Sequence, residues 1–156
     1  MAVLKICTAG NPVLKQVAKP VEKIDKRLTR LLNNMVETMY AADGVGLAAP
    51  QVGESKRVVV IDVGDGAVYE MINPVITKKE GTYLSTEGCL SVPENSGEVE
   101  RAAYVECEYT NRQGERMLVQ ARGLLAVCIQ HELDHLDGVL FIEKAKSLTV
   151  KKDTEE

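Results

Sequence analysis

Residues 123–138 read GLLAVCIQHELDHLDG. Apolar positions recur there at helical spacing and Gly138 closes the run, which predicts a helix over 123–136. His131 and His135 stand four apart, so they share one face with their Cβ atoms about 5–6 Å apart. Two imidazoles so placed converge on one metal ion. Glu132, next to the first, points beside it, where a bound water would sit. These are the only two histidines in the chain. The flanking residues are apolar, so the motif lies on a buried helix and not on a solvated one.

Upstream of this helix the text turns to strands. Arg57–Val63 (RVVVIDV) is a β-branched run that reads as a buried strand. Tyr69–Lys78 reads as a second, with Pro74 placing part of it at an edge or a bulge. Tyr83–Pro93 mixes strand and turn signals. Ala102–Thr110 (AAYVECEYT) alternates apolar and polar, the turn NRQGE follows, and Arg116–Arg122 returns as the partner of a hairpin. Further upstream, Leu28, Leu31, Leu32, Met35, Val36, Met39 and Tyr40 recur at helical spacing between Asp25, a candidate N-cap, and Gly44, a candidate stop. The stretch before Val21, with Pro12 and Pro20, reads as an extended arm. Residues from Glu143 onward fade into a polar tail. The order helix, strands, helix predicts an α+β fold. Mostly antiparallel sheets pack around the central histidine-bearing helix, and an amphipathic helix lies near the N-terminus. One domain over 1–148 and a polar tail over 149–156 follow, since no repeat or composition break divides the chain.

The composition agrees with one ordinary domain. The chain has 156 residues, 45% hydrophobic and 27% charged, against roughly 100–200 residues per domain. Disorder and low complexity are excluded as whole-chain descriptions. With 19 Lys+Arg against 23 Asp+Glu the net charge is −4, so there is no global pull toward phosphate backbones and no nucleic-acid signature. No window approaches a membrane span, and residues 1–14 lack a signal-peptide core. Four cysteines are too sparse for a disulfide scaffold. The expectation is a cytoplasmic protein with reduced thiols, each available as a metal ligand.

Two histidines do not complete a catalytic site, which needs a third protein ligand and an open position. In one metalloprotease pattern a third histidine follows, but Phe141 stands at that position. The pattern with a glutamate about 20 residues downstream meets only the terminal Glu155 and Glu156. The third ligand therefore comes from upstream, and Cys89 in Glu87-Gly88-Cys89-Leu90-Ser91 is the strongest candidate, presented by a turn that Gly88 permits. Cys7, Cys107 and Cys128 suit a small buried apolar role better.

Three segments, Gly44–Gln51 (GVGLAAPQ), Glu87–Ser91 (EGCLS) and Gln130–Gly138 (QHELDHLDG), together with NPVLKQVAKPV near the start and SVPE after the cysteine, resemble the bacterial peptide deformylases in order and separation. The resemblance covers Leu4 to Leu148. It implies a metallohydrolase that removes the N-formyl group from the formyl-methionine of new polypeptides, releasing formate. By that resemblance Cys89, His131 and His135 hold one divalent metal per chain, Fe2+ in the cell, with Zn2+, Ni2+ or Co2+ able to replace it. A water whose pKa the metal lowers attacks the formyl carbon, with Glu132 as general base and then acid. The Gln51 side-chain amide and the Leu90 backbone N–H serve as oxyanion donors. Gly46 lets the backbone approach a substrate added as a strand.

The resemblance also places a methionine pocket at Val45, Leu124, Val127 and Cys128. Helical spacing puts the last three on the histidine face, where the plain reading is core. Arg101 would pair with Glu87 to brace the cysteine loop, a small contribution if the pair is exposed. An arginine expected near Ser96 in relatives is missing from Glu94-Asn95-Ser96-Gly97-Glu98. The partners implied are N-formyl-methionyl nascent peptides and transient proximity to the ribosome, although the tail lacks a long basic helix. The competing readings are another HExxH metallopeptidase, opposed by Phe141, and a non-catalytic metal-binding relative, opposed by Glu132 and Gln51.

Overall fold

The computed structural model describes residues 2–8, 10–89, 91–140 and 147–150, with the backbone alone at 92–95 and 147–150. After a 3-10 turn at Pro12–Lys15 come α1 (Lys26–Ala41) and β1 (Gly46–Ala48), then a second 3-10 turn at Ala49–Val52. β2 (Val58–Ile61), β3 (Tyr69–Glu80), β4 (Tyr83–Cys89), β5 (Val92–Arg101), β6 (Tyr104–Thr110) and β7 (Arg116–Arg122) follow. α2 (Gly123–Leu136) and β8 (Ser147–Val150) complete the order. One sheet has the order β1-β2-β3-β6-β7 and the other β4-β5-β8, with every ladder antiparallel.

β2 explains the architecture. Its four residues are all buried. Val58 and Val60 pack with Leu28, Leu32, Met35 and Met39 of α1, whereas Val59 and Ile61 pack with Ala126, Ile129 and Leu133 of α2. Alternate side chains point to opposite faces of a strand, so a continuous β-branched run is what a sheet covered by a helix on each side requires. Cys107 and Cys128 both lie in the α2 core, as a small apolar reading of cysteine predicts. Asp25 caps α1 by accepting from Leu28 N at 2.9 Å, and the helix ends at Ala41 with Ala42 as its C-cap, two residues before Gly44. Tyr40 departs from the expected apolar face. It is about half exposed and bonds to Asp62.

Two further expectations change, and a third is met in one of its two forms. The N-terminal arm is not wholly extended: Asn11 caps the 3-10 turn, and Ala18 N bonds to Leu136 O at 2.7 Å, which fastens the arm to the end of α2. Of the edge or bulge expected at Pro74, β3 shows the bulge. It lies in the middle of its sheet, and the ladder shifts register between Ile72 and Val75. Asn73, at φ 52°, turns its amide onto Val21, accepting from Val21 N and donating to Val21 O at 2.8 Å each. The side chain at the register shift thus satisfies both backbone groups of Val21 in the N-terminal arm. Finally, the tail does not begin at 149, because residues 147–150 pair with Asn95–Glu98 as β8. Phe141 to Lys146 and Lys151 to Glu156, with the tail's charges, lie outside the described residues.

Candidate active site

The last two turns of α2 face the end of β4. The ligand atoms of Cys89, His131 and His135 lie within 4.8 Å of one another, and Cys89 Sγ is 3.2 Å from His135 Nε2. Every residue of the site except Cys89 is buried or nearly so; Gln51 and His135 are 1% exposed. Gln51 reaches the sulfur from the second 3-10 turn. Its Oε1 accepts from Ala48 N at 2.9 Å, which turns the amide nitrogen inward, toward Cys89 Sγ at 3.6 Å and Ser91 Oγ at 3.2 Å. Ser91 N also donates to the sulfur, at 3.4 Å. Leu90, the other expected oxyanion donor, lies outside the described residues.

Behind the histidines stands Glu87. Its Oε1 accepts from His131 Nδ1 at 2.8 Å, which leaves Nε2 of that ring for the cluster. Arg101 grips both Glu87 oxygens, at 2.8 and 2.7 Å. The pair is not exposed, so the condition for a small contribution does not hold: the two side chains are 3% and 5% exposed. Burial alone would raise the Glu87 carboxyl, but Arg101 and His131 hold it down at about 2. Burial opposes charge on His131, yet Cys89 and Glu87 beside it hold that ring up at about 10. Burial, then the charge of His131, pushes His135 down to about 3. Burial pushes Glu132 up to about 7 against the pull of His131.

These residues fit a divalent cation. One thiol and two imidazoles are a donor set for a transition metal, and the carboxylate behind His131 supplies the orienting partner such ligands use. Glu132 Oε1 and His135 Nδ1 are buried and find no hydrogen-bond partner among the described residues. An orphaned carboxylate oxygen beside three ligand atoms is what a site completed by an ion and its water leaves open.

A cavity of about 400 Å³ opens beside this cluster. Val45, Gly46, Gln51, Glu87, Cys89, Leu124, Val127, Cys128, His131 and Glu132 all line it, so every described residue singled out from the sequence meets there except His135 and Arg101, which stand behind the wall. Val127 and Cys128 are buried, while Leu124 and Val45 are 54% and 42% exposed and form the mouth. Gly46 has a use that the sequence did not suggest. A Cβ there would lie 2.6 Å from Glu132 Oε2 and 3.1 Å from its Cγ and Cδ, so any larger residue would displace that carboxylate from its present position. The sequence reading also missed Asp43, Gly44, Ser85 and Thr86 on the cavity wall, Ser91 against Gln51, and Asp134, which accepts from Arg101 at 2.6 Å. Asp134 lies three residues after His131, and that spacing was the available signal.

The family model for polypeptide deformylase matches residues 3–151. The chain is 56% identical over 146 residues to a peptide deformylase of Desulfitobacterium hafniense, covering 94% of this chain and 97% of that one. It is 52% identical over 151 residues to that of Carboxydothermus hydrogenoformans, covering 97% and 99%. Among solved structures, the peptide deformylase of Thermotoga maritima superposes with a TM-score of 0.90 at 45% identity, over 93% of this chain and 99% of that one. A Synechococcus elongatus peptide deformylase in complex with actinonin gives 0.89 at 44% identity, over 92% and 81%. The chain belongs to the polypeptide deformylase family, metal-dependent hydrolases of protein biosynthesis that remove the N-formyl group from newly made polypeptides.

Proposed function

We propose that Cys89, His131 and His135 hold the metal, one divalent ion per chain, and that Glu132 moves the protons of the reaction. The observation that carries this reading is the buried, unpartnered Glu132 Oε1 on the wall of the cavity that the ligand cluster opens into. Mixed thiolate and imidazole ligands suit iron(II), and zinc, nickel or cobalt as substitutes. When bound, the ion supplies Lewis acidity, lowering the pKa of a water and drawing electron density from a carbonyl oxygen.

Glu132 takes a proton from the attacking water and returns it to the departing amine as the formyl C–N bond breaks. The products are formate and a free amino terminus, which balances one water against one amide. The Gln51 amide N–H groups, already turned inward by the Ala48 bond, stabilise charge growing on the formyl oxygen. The Leu90 N–H is assigned the same task on the family pattern alone. Val127 and Cys128 floor a pocket for the unbranched methionine side chain, with Val45 and Leu124 at its mouth. β1 ends its sheet, so its outer edge offers backbone groups to a peptide laid alongside as a strand. Glu87 and Arg101 brace the ligands. The described chain through Val150 acts as one catalytic domain. Its substrates are formyl-methionyl nascent chains, met in the cytoplasm near the ribosome, and no helix among the described residues is long and apolar enough to cross a membrane.

The test is formate release from a formyl-Met tripeptide by protein purified without oxygen, with metal content measured on the same sample. Wild type releases formate; Glu132→Ala keeps its metal and loses turnover by about 10²–10⁴-fold. Turnover unchanged in Glu132→Ala would overturn the assignment of the base.

A further inference from the structure

The three ligand residues come from two separate pieces of chain. Cys89 ends β4, whose ladder partner is β5, while His131 and His135 ride on α2. No backbone ladder ties β4 to α2, so side chains must set the distance between thiol and imidazoles. Arg101, the last residue of β5, occupies that gap. Its Nε and Nη2 donate to the two oxygens of Glu87, two residues before Cys89, at 2.8 and 2.7 Å. Its Nη1 donates to Oδ2 of Asp134, the residue before His135, at 2.6 Å. Glu87 accepts in turn from His131 Nδ1. One guanidinium therefore clasps the cysteine strand to the histidine helix.

The fork of Arg101 on Glu87 is planar and bidentate, and it moves with the β4–β5 hairpin as a unit. That unit meets α2 through two contacts one helical turn apart, Glu87 to His131 and Arg101 to Asp134, and beside them Gln130 of α2 holds both backbone groups of Ala102 at 2.9 Å each. A single contact fixes a position. Two contacts separated by three residues also fix the tilt of the helix against the strand. The clasp is shielded from water, with the side chains of Arg101, Glu87 and Asp134 at 3%, 5% and 16% exposure, so screening does not dissolve it.

We propose that Asp134 is a positioning residue for the metal centre. Acting through Arg101, it holds the Cys89 thiol and the two imidazoles at the spacing the ion requires, and so sets how tightly the ion is bound. This rests on the assignment of Cys89, His131 and His135 as ligands.

The test measures the dissociation constant of Zn2+ from metal-free, folded protein by competition with a chromogenic chelator, alongside the thiolate-to-cobalt charge-transfer band of the Co2+ form. Asp134→Asn keeps the shape and removes the charge. It weakens Zn2+ binding by about 10–100-fold, the range for orienting partners of metal ligands, and shifts the cobalt band. Arg101→Lys keeps a charge but cannot span Glu87 and Asp134 together. It shows a similar loss, and the double variant is no weaker than Arg101→Lys alone. Should Asp134→Asn fail to fold, Arg101→Lys carries the same measurement. Asp137→Asn, which removes a carboxylate paired instead with Arg57, leaves the affinity unchanged. An unchanged Zn2+ constant in both Asp134→Asn and Arg101→Lys, with only the melting temperature lowered, would make the clasp a stability feature and overturn the proposal. Equal loss in Asp137→Asn would overturn it too, by reducing the effect to general charge. Cys89→Ala separates the two levels of the argument: if it binds Zn2+ as wild type does, the ligand assignment itself fails.

Discussion

The two helices flank the same five-stranded sheet and follow opposite rules. α1 has one buried face, built from Leu28, Leu31, Leu32, Met35 and Met39, with its first turn capped by Asp25 and Lys26, Arg27 and Arg30 exposed; of its charged residues only Glu37 turns an oxygen inward without a partner among the described residues. Propensity, pattern and cap agree. α2 has eleven of its fourteen residues buried, among them Gln130, His131, Glu132 and His135, and its N-cap Arg122 makes no side-chain cap bond. Burying ionisable groups costs free energy unless they are partnered, and Glu132 Oε1 is not. α1 is what a sequence does to fold. α2 is what the fold then tolerates in order to act.

That contrast is broken most forcefully at Glu132. If the carboxylate is a cost carried for chemistry, Glu132→Ala must abolish formate release and yet raise the melting temperature of the metal-free protein, or at least leave it unchanged, in differential scanning calorimetry. A lowered melting temperature would make Glu132 a structural residue like those of α1. The second measurement removes the metal. A ligand that binds only the folded state stabilises it by about 4 kcal/mol at a thousandfold excess over its dissociation constant. Chelation should thus lower the melting temperature and abolish activity together, and the added ion should restore both. Third, Leu32 is wholly buried under the sheet. Leu32→Ala costs about 2–5 kcal/mol of stability in urea unfolding, yet leaves kcat within twofold at a temperature where the variant is folded.

The same division decides what was legible in the sequence. Helix periodicity reports burial against a neighbour without naming it, so the limits of α2 and the buried face of α1 could be read directly. Local pattern fails where the partner is distant in sequence. Pro74 could be read as an edge or a bulge but not as which, because the strands that flank it, β2 and β6, and Val21, to which Asn73 bonds across 52 residues, all lie elsewhere in the sequence. β8 looked like tail because residues 147–150 are a strand only by virtue of β5 beside them. The ligand set was legible for a different reason: two histidines and a glycine-flanked cysteine are rare and chemically specific. Their supports were not. Asp134 has no assigned use in the sequence until the fold brings Arg101 beside it. Gly46 reads as room for a substrate's backbone, and its second use shows only when Glu132, 86 positions later, is found where its Cβ would be.

The smallest expected effect sharpens the comparison from the α1 side. Asp25 is exposed, and its carboxylate accepts the otherwise orphaned Leu28 N–H at 2.9 Å. That backbone bond, reinforced by nearby Lys23 and Lys56 against a small desolvation effect, lowers its pKa below the ordinary value. A carboxyl group whose folded pKa is depressed contributes stability above its unfolded pKa and loses it as the pH falls through the lower folded one. Asp25→Ala should therefore lower the melting temperature at neutral pH by about 2–4 °C. The gap from wild type should close on acidification, with kcat unchanged throughout the range where both proteins are folded. A pH-independent gap would mean that the cap acts through shape and not through its charge. A change in kcat would mean that α1 is coupled to the site after all, through the short loop that runs from its C-terminal end to Val45 and Gly46 at the cavity wall.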